Sequence, residues 1–223
     1  MNQTKGTMCL CAHILTKRCR ACSIRPLVFS LDSVLWAYTR SAWMMPAMMK
    51  KPMVMVVMIR STFQSLEPGR WLLGEPIDIF MAILQERAST TAGRESQLFL
   101  PTQFYTQLVG HGSGYDYHAN IKGRWSGLRR RVADSSGGLA DLQIIMPINV
   151  GNWHWVLAEI NFPSRTIDFY DHSRSVTVQR QKDYLHVLLQ WVEDEMRETG
   201  AKFNAGEWKR AINPKNTPWQ SNG

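Results

Sequence analysis

The stretch Leu142–Asp171, LQIIMPINVGNWHWVLAEINFPSRTIDFYD, decides the fold. Ile144, Ile145, Met146, Ile148 and Val150 form one apolar run. Trp153, His154, Trp155, Val156, Leu157 and Ile160 form a second, beyond a short polar turn. A turn built on Pro163 follows, and then a third run, Thr166–Tyr170. Short runs rich in β-branched and aromatic residues, bounded by Gly, Asn and Pro, are the pattern of consecutive strands in a largely buried sheet. If the second and third runs form a hairpin, His154 starts one strand and Asp171 ends the other, so imidazole and carboxylate lie side by side. A carboxylate on one ring nitrogen fixes the tautomer and makes the other nitrogen a general base. Hairpin geometry alone does not decide for that chemistry. It favours the simpler reading of a packed strand-edge histidine and a turn aspartate.

Working outward, the chain of 223 residues has room for one medium domain with an extension, and its 44% hydrophobic and 20% charged composition is ordinary for a globular protein. The net charge of +8 is unevenly placed. Residues 1–66 hold nine basic residues against Asp32 alone, while the 17 basic and 17 acidic residues beyond them cancel. The basic character belongs to an extension over 1–61, expected to be poorly ordered, and gives no reason to expect nucleic-acid binding by residues 62–223. All four cysteines, Cys9, Cys11, Cys19 and Cys22, lie in the extension. With His13 they could ligate zinc, but the spacing departs from the common patterns, and reduced thiols are the favoured reading. A cysteine-free remainder points to an intracellular setting, nucleus or cytoplasm. The Met-rich segment 26–59 is broken by Arg40, Lys50, Lys51, Pro46 and Pro52, so no uncharged run reaches the roughly 18 residues that span a bilayer.

Glu75-Pro76-Ile77-Asp78 opens a helix to about Arg87, with Pro near the first position, acids in the first turn and a stripe of Ile77, Phe80, Met81 and Leu84. Leu98–Val109 is apolar, with a second helix expected after Pro101. Gly110–Gly123 reads as a loop and Arg124–Val132 as a basic helical stretch. After Asp171, apolar residues from Val178 to Met196 recur at helical spacing up to a C-capping Gly200. Phe203–Arg210 is a strand or loop.

With these pieces in view, the chain resembles the Ulp/SENP family of ubiquitin-like-protein (SUMO) proteases over about residues 62–223. Four matches in order carry the resemblance. They are Pro68-Gly-Arg-Trp71-Leu-Leu73 with the helix after it, Pro147-Ile-Asn149 followed by His154-Trp-Val-Leu157, Ile167-Asp-Phe-Tyr-Asp171, and Gln220-Ser-Asn-Gly223. The resemblance implies an α+β, papain-like cysteine protease fold: a central, mostly antiparallel sheet flanked by helices. It implies His154 as general base, Asp171 as its orienting carboxylate and Gln220 as oxyanion donor. Trp71 and Trp155 would roof a tunnel for the Gly-Gly tail of SUMO or another ubiquitin-like partner. A thiolate needs a neighbouring imidazolium, and its tetrahedral oxyanion a preplaced donor. Simple core packing is the alternative for the two tryptophans. The resemblance implies a monomer that needs no cofactor, metal, membrane or nucleic acid. Departures are Leu73-Gly74 where the family has Asn-Asp, and His172 where it usually has Ser. The family's nucleophilic Cys would fall three positions beyond Gly223. The expectation is therefore a domain lacking its C-terminal part, inactive as it stands, or alternatively a dead module that binds a modifier.

Overall fold

The computed structural model describes residues 62–67, 70–93, 96–112, 114–122, 138–215 and 217. The extension with its four cysteines, the basic stretch 124–132 and the terminal Gln220–Gly223 lie outside the described residues. In chain order the main elements are α1 (Gly74–Thr90), β1 (Gln97–Phe99), α2 (Gln103–Leu108), β2 (Gln143–Val150), β3 (His154–Asn161), β4 (Thr166–Tyr170), α3 (Val178–Glu198) and β5 (Lys209–Ile212).

The five strands stand in sequence order across one sheet. β2, β3 and β4 form an antiparallel meander, and β1 and β5 add parallel strands at its two edges. The sheet is thus mixed, with most of its pairing antiparallel. Connection length decides this, because a tight turn can join only antiparallel neighbours, whereas the parallel edge strands need long crossovers. At Gly151-Asn152 both residues have φ of 62°, and Trp153 N–H donates to Val150 C=O, closing the β2–β3 turn. That register sets Val150 opposite His154 and Leu157 opposite Tyr170.

Side chains alternate across the sheet, so each strand serves two layers. Ile144, Met146, Ile148, Val156, Ala158, Ile160, Ile167 and Phe169 bury one face against α2 and α3, where Phe104, Leu188 and Trp191 are nearly inaccessible. Leu157 and Tyr170 face the other way, into a smaller cluster with Leu72, Ile77 and Met81 under α1. α1 runs three residues beyond the expected Arg87, and its buried positions are Pro76, Ile77, Ile79, Met81 and Ala88, with Phe80 and Leu84 only half-buried. Leu98 belongs to a short parallel strand ahead of the expected second helix. Val178, placed on the apolar stripe by its spacing, is 60% exposed, because it opens the first turn of α3 before the helix reaches the sheet.

α3 has defined ends. The Thr177 hydroxyl accepts from Arg180 N–H at its start. At its end Gly200, at φ 73°, donates to Arg197 C=O while Ala201 N–H reaches Met196 C=O, a paired closure that left-handed Gly permits. Trp191 anchors the helix. Its ring stands edge-on to Phe104 at 4.8 Å, and its indole N–H donates to Glu195. Truncation of so large a buried ring removes both burial and packing. Trp191→Ala is expected to cost about 3–5 kcal/mol, read as a fall in urea midpoint. A loss under about 1 kcal/mol would show that α3 is not seated on the sheet as described.

Candidate functional site

His154 opens β3, and Asp171 follows the last residue of β4. Both lie on the face covered by α3, by the same alternation that buries Val156 and Phe169 there. His154 Nε2 is 2.8 Å from Asp171 Oδ1. The imidazole side chain keeps 15% exposure and the carboxylate none. With Nε2–H directed at the carboxylate, Nδ1 carries the free lone pair.

A carboxylate taken wholly out of water must have its oxygens satisfied by other donors. Here Oδ1 also accepts from the Ser173 backbone N–H (3.2 Å) and hydroxyl (3.0 Å), and Oδ2 from Val176 N–H (2.9 Å) and the Gln181 amide (3.2 Å). The Asp171 backbone N–H donates to Asn213 Oδ1 at 2.7 Å, fastening the residue to the segment after β5. Burial pushes the carboxyl pKa up, but the bonds from His154, Val176 and Ser173, together with the His154 charge, outweigh it and hold the group below its ordinary value. Asp171 is therefore an anion at neutral pH.

Three neighbours frame the histidine. The Ser173 hydroxyl lies 3.1 Å from Nε2. Trp153 stacks on the imidazole, with centroids 5.5 Å apart and planes at 28°, and is 42% exposed on its other side. A Cβ on Gly151 would come within 2.6 Å of Trp153 Nε1, so this glycine both makes the turn and admits the indole. The third is His172, which is buried beside the pair. Burial lowers its pKa and the His154 charge adds to that, with Asp171 opposing only in part.

On the opposite face, Trp155 Nε1 donates to Leu72 C=O at 2.8 Å, tying β3 to the segment ahead of α1. Trp71, the preceding residue, is 63% exposed. Gly74 accommodates close approach here: a Cβ on it would lie 3.1 Å from Thr102 Oγ1 and 3.8 Å from the Trp155 ring. Thr102 in turn donates its backbone N–H and hydroxyl to Asp78 (2.7 and 3.0 Å), which joins α1 to the start of α2. The arrangement brings His154 and Asp171 into contact and links Trp155 to the backbone beside Trp71. Gln220 lies outside the described residues. Sequence reading missed Ser173, Gln181 and Asn213, whose only signal was a polar loop and one glutamine within an otherwise regular helix. Among the described residues no cluster of His, Cys, Asp or Glu could hold a metal ion, and no helix is long and apolar enough to cross a membrane.

The two perturbed groups give the acid limb of stability a definite shape. Both folded-state pKa values are depressed, so each group stabilises the fold above its unfolded value and that stabilisation is lost as the pH falls. His172 acts first, below about pH 6.5, and Asp171 below about pH 4. Urea unfolding from pH 8 to 3 is expected to show both limbs, and His172→Gln is expected to remove the upper one alone. Parallel wild-type and variant profiles between pH 7 and 5 would contradict this assignment.

The model of the Ulp1 protease family, C-terminal catalytic domain, matches residues 70–223. Ubiquitin-like-specific protease 1A of Arabidopsis thaliana is 30% identical over 167 residues, which are 71% of this chain and 30% of that protein. Ubiquitin-like-specific protease ESD4 of the same plant is 31% identical over 167 residues, 72% of this chain and 31% of that protein. The chain thus spans less than a third of each of these relatives. The fold is similar to the C-terminal Ulp1 protease domain solved in complex with Smt3, the yeast ortholog of SUMO, at a TM-score of 0.53 and 24% identity over 73% of this chain and 63% of that one. It is also similar to a SUMO protease Ulp1 whose catalytic cysteine is oxidised to a sulfenic acid, at a TM-score of 0.56 and 23% identity over 89% and 80% of the two chains. With the family match covering residues 70–223, the chain belongs to the Ulp1 protease family.

Proposed function

We propose that residues 62–223 form a cysteine-type peptidase domain that hydrolyses the bond after the C-terminal Gly-Gly of SUMO or another ubiquitin-like protein. The observation that carries this reading is the His154–Asp171 contact of 2.8 Å, on a fully buried anionic carboxylate, in a chain of the Ulp1 family. The similar solved structures support the chemistry and the partner: one is named as a complex with Smt3, and another as having a catalytic cysteine.

In this reading His154 is the general base and Asp171 its orienting anion. Nδ1 takes the proton of a thiol brought against it, and Asp171 stabilises the imidazolium through Nε2–H. The thiolate adds to the carbonyl of the terminal glycine, and the Gln220 side-chain N–H donates to the developing oxyanion. Collapse expels the amine, which takes the proton from Nδ1. Water then hydrolyses the thioester, with His154 again as base. Trp71 and Trp155 flank the tail, since flat apolar faces suit a segment without side chains.

The nucleophile qualifies this proposal. All four cysteines of the 223 residues lie between Cys9 and Cys22, outside the segment that resembles the protease domain. We propose that a polypeptide of these residues alone does not turn over substrate. A second reading rests on the same observation together with the 63% exposure of Trp71: such a polypeptide binds a ubiquitin-like tail without cutting it.

Sequencing the transcript across the Gly223 codon comes first. If it continues in frame to Asp and Cys at the second and third positions, the extended chain is expected to react with a SUMO vinyl sulfone at that cysteine. His154→Ala is expected to lower SUMO-precursor cleavage by about 10²–10⁴-fold, the usual contribution of a general base. An extended chain that carries the cysteine and neither reacts nor cleaves would refute the peptidase reading. The 223-residue polypeptide is expected to give no adduct; retention on immobilised SUMO, lost on Trp155→Ala, would establish the binding reading.

A further inference from the structure

We infer that Gln181, on the first turns of α3, is a positioning residue that aims the Asp171 carboxylate at His154. The inference rests on the reading of His154 and Asp171 as a working pair. Asp171 presents two oxygens with separate duties. Oδ1 faces His154 and Ser173, and Oδ2 faces away, toward Val176 N–H and the Gln181 amide. Rotation of the carboxylate about its Cβ–Cγ bond would carry Oδ1 off the imidazole. The donors on Oδ2 oppose that rotation, because both ends of a carboxylate turn together.

Gln181 controls both of those donors. It is a polar side chain only 3% exposed, and its Nε2 donates to Asp171 Oδ2 at 3.2 Å and to Val176 C=O at 3.0 Å. Both amide hydrogens are used. The second bond holds the carbonyl of Val176, the residue whose backbone N–H is the other donor to Oδ2. The loop between Asp171 and α3 is short and polar, and much of it is exposed at Arg174, Ser175 and Thr177. Gln181 instead sits on a helix whose next turns, at Leu185, Leu188 and Leu189, are buried in the main core. The carboxylate is thereby referenced to the core through Gln181 as well as to its own loop. A residue required only for burial at this position could be apolar, and at a buried position an amide with two filled donors points to its partners.

The test reads the pair directly and needs no nucleophile. In the full 223-residue chain with ¹⁵N-labelled histidine, the neutral form of the His154 ring is expected to be the Nε2–H tautomer, with a downfield Nε2 proton. Gln181→Met keeps length and removes the donors. Gln181→Glu keeps length and polarity but replaces the donor with an acceptor. Both are expected to move the Nε2 proton upfield and to mix the two tautomers. Leu185→Ala, one turn along the same buried face, weakens packing without touching the carboxylate and is expected to leave the ring signals in place. Unchanged ring signals in both Gln181 variants would overturn the inference. So would an equal shift in Leu185→Ala, or the absence of the downfield proton in the wild-type chain. Failure of a cysteine-containing extended chain to cleave SUMO would refute the peptidase reading while leaving this outcome untouched.

Discussion

A carboxylate with no solvent contact is the constraint on which the site depends. Asp171 lies at the end of β4 with its side chain fully covered, and desolvation of an anion is costly unless partners replace the lost water. The chain meets that demand from three places and fastens the residue from a fourth. β3 contributes His154, the following loop Ser173 and Val176, α3 contributes Gln181, and the segment after β5 holds the backbone through Asn213. Each of these elements must be seated for the carboxylate to be satisfied. The site therefore reports on the assembly of the sheet and its long helix, and the sheet's order in turn reports on the site.

That dependence explains the division of labour between the two faces. The histidine and the aspartate share the face on which α3 closes the larger core. Trp155 falls on the other face, where its indole meets the backbone of Leu72 under α1. Strand alternation alone separates adjacent residues His154 and Trp155, placing one against Asp171 and the other against Leu72 on the opposite face. The turn at Gly151-Asn152 sets this phase. One residue more or fewer before His154 would exchange the two faces.

Polar residues away from the dyad follow the same economy. On the α1 side, Glu159 is 7% exposed and is reached by the Tyr170 hydroxyl (2.9 Å) and the Gln143 amide (2.5 Å). Asp78 is half-buried, with a pKa raised by desolvation against the pull of its bonds from Thr102. Glu159 links the central strand β3 through side chains to β2 and β4, and Asp78 links α1 to the start of α2.

The sequence by itself determined the local elements near the site. The β2–β3–β4 meander was legible from three apolar runs and their turn residues, because alternation, β-branching and Gly/Pro punctuation are properties of neighbours along the chain. α1 and α3 were legible for the same reason, apart from Val178, whose spacing suggested burial but whose place at the helix start left it exposed. His154 and Asp171 could be named as neighbours from a hairpin, though not shown to touch. The tertiary structure alone decided the parallel edge strands β1 and β5, since their partners are remote and a three- or four-residue strand carries little pattern. It alone brought Ser173 and Gln181 to the carboxylate and Asn213 to the backbone N–H of Asp171. Those residues act through distance in space, across 2, 10 and 42 positions of chain, and a lone serine, glutamine or asparagine has no periodicity to announce what it will bond.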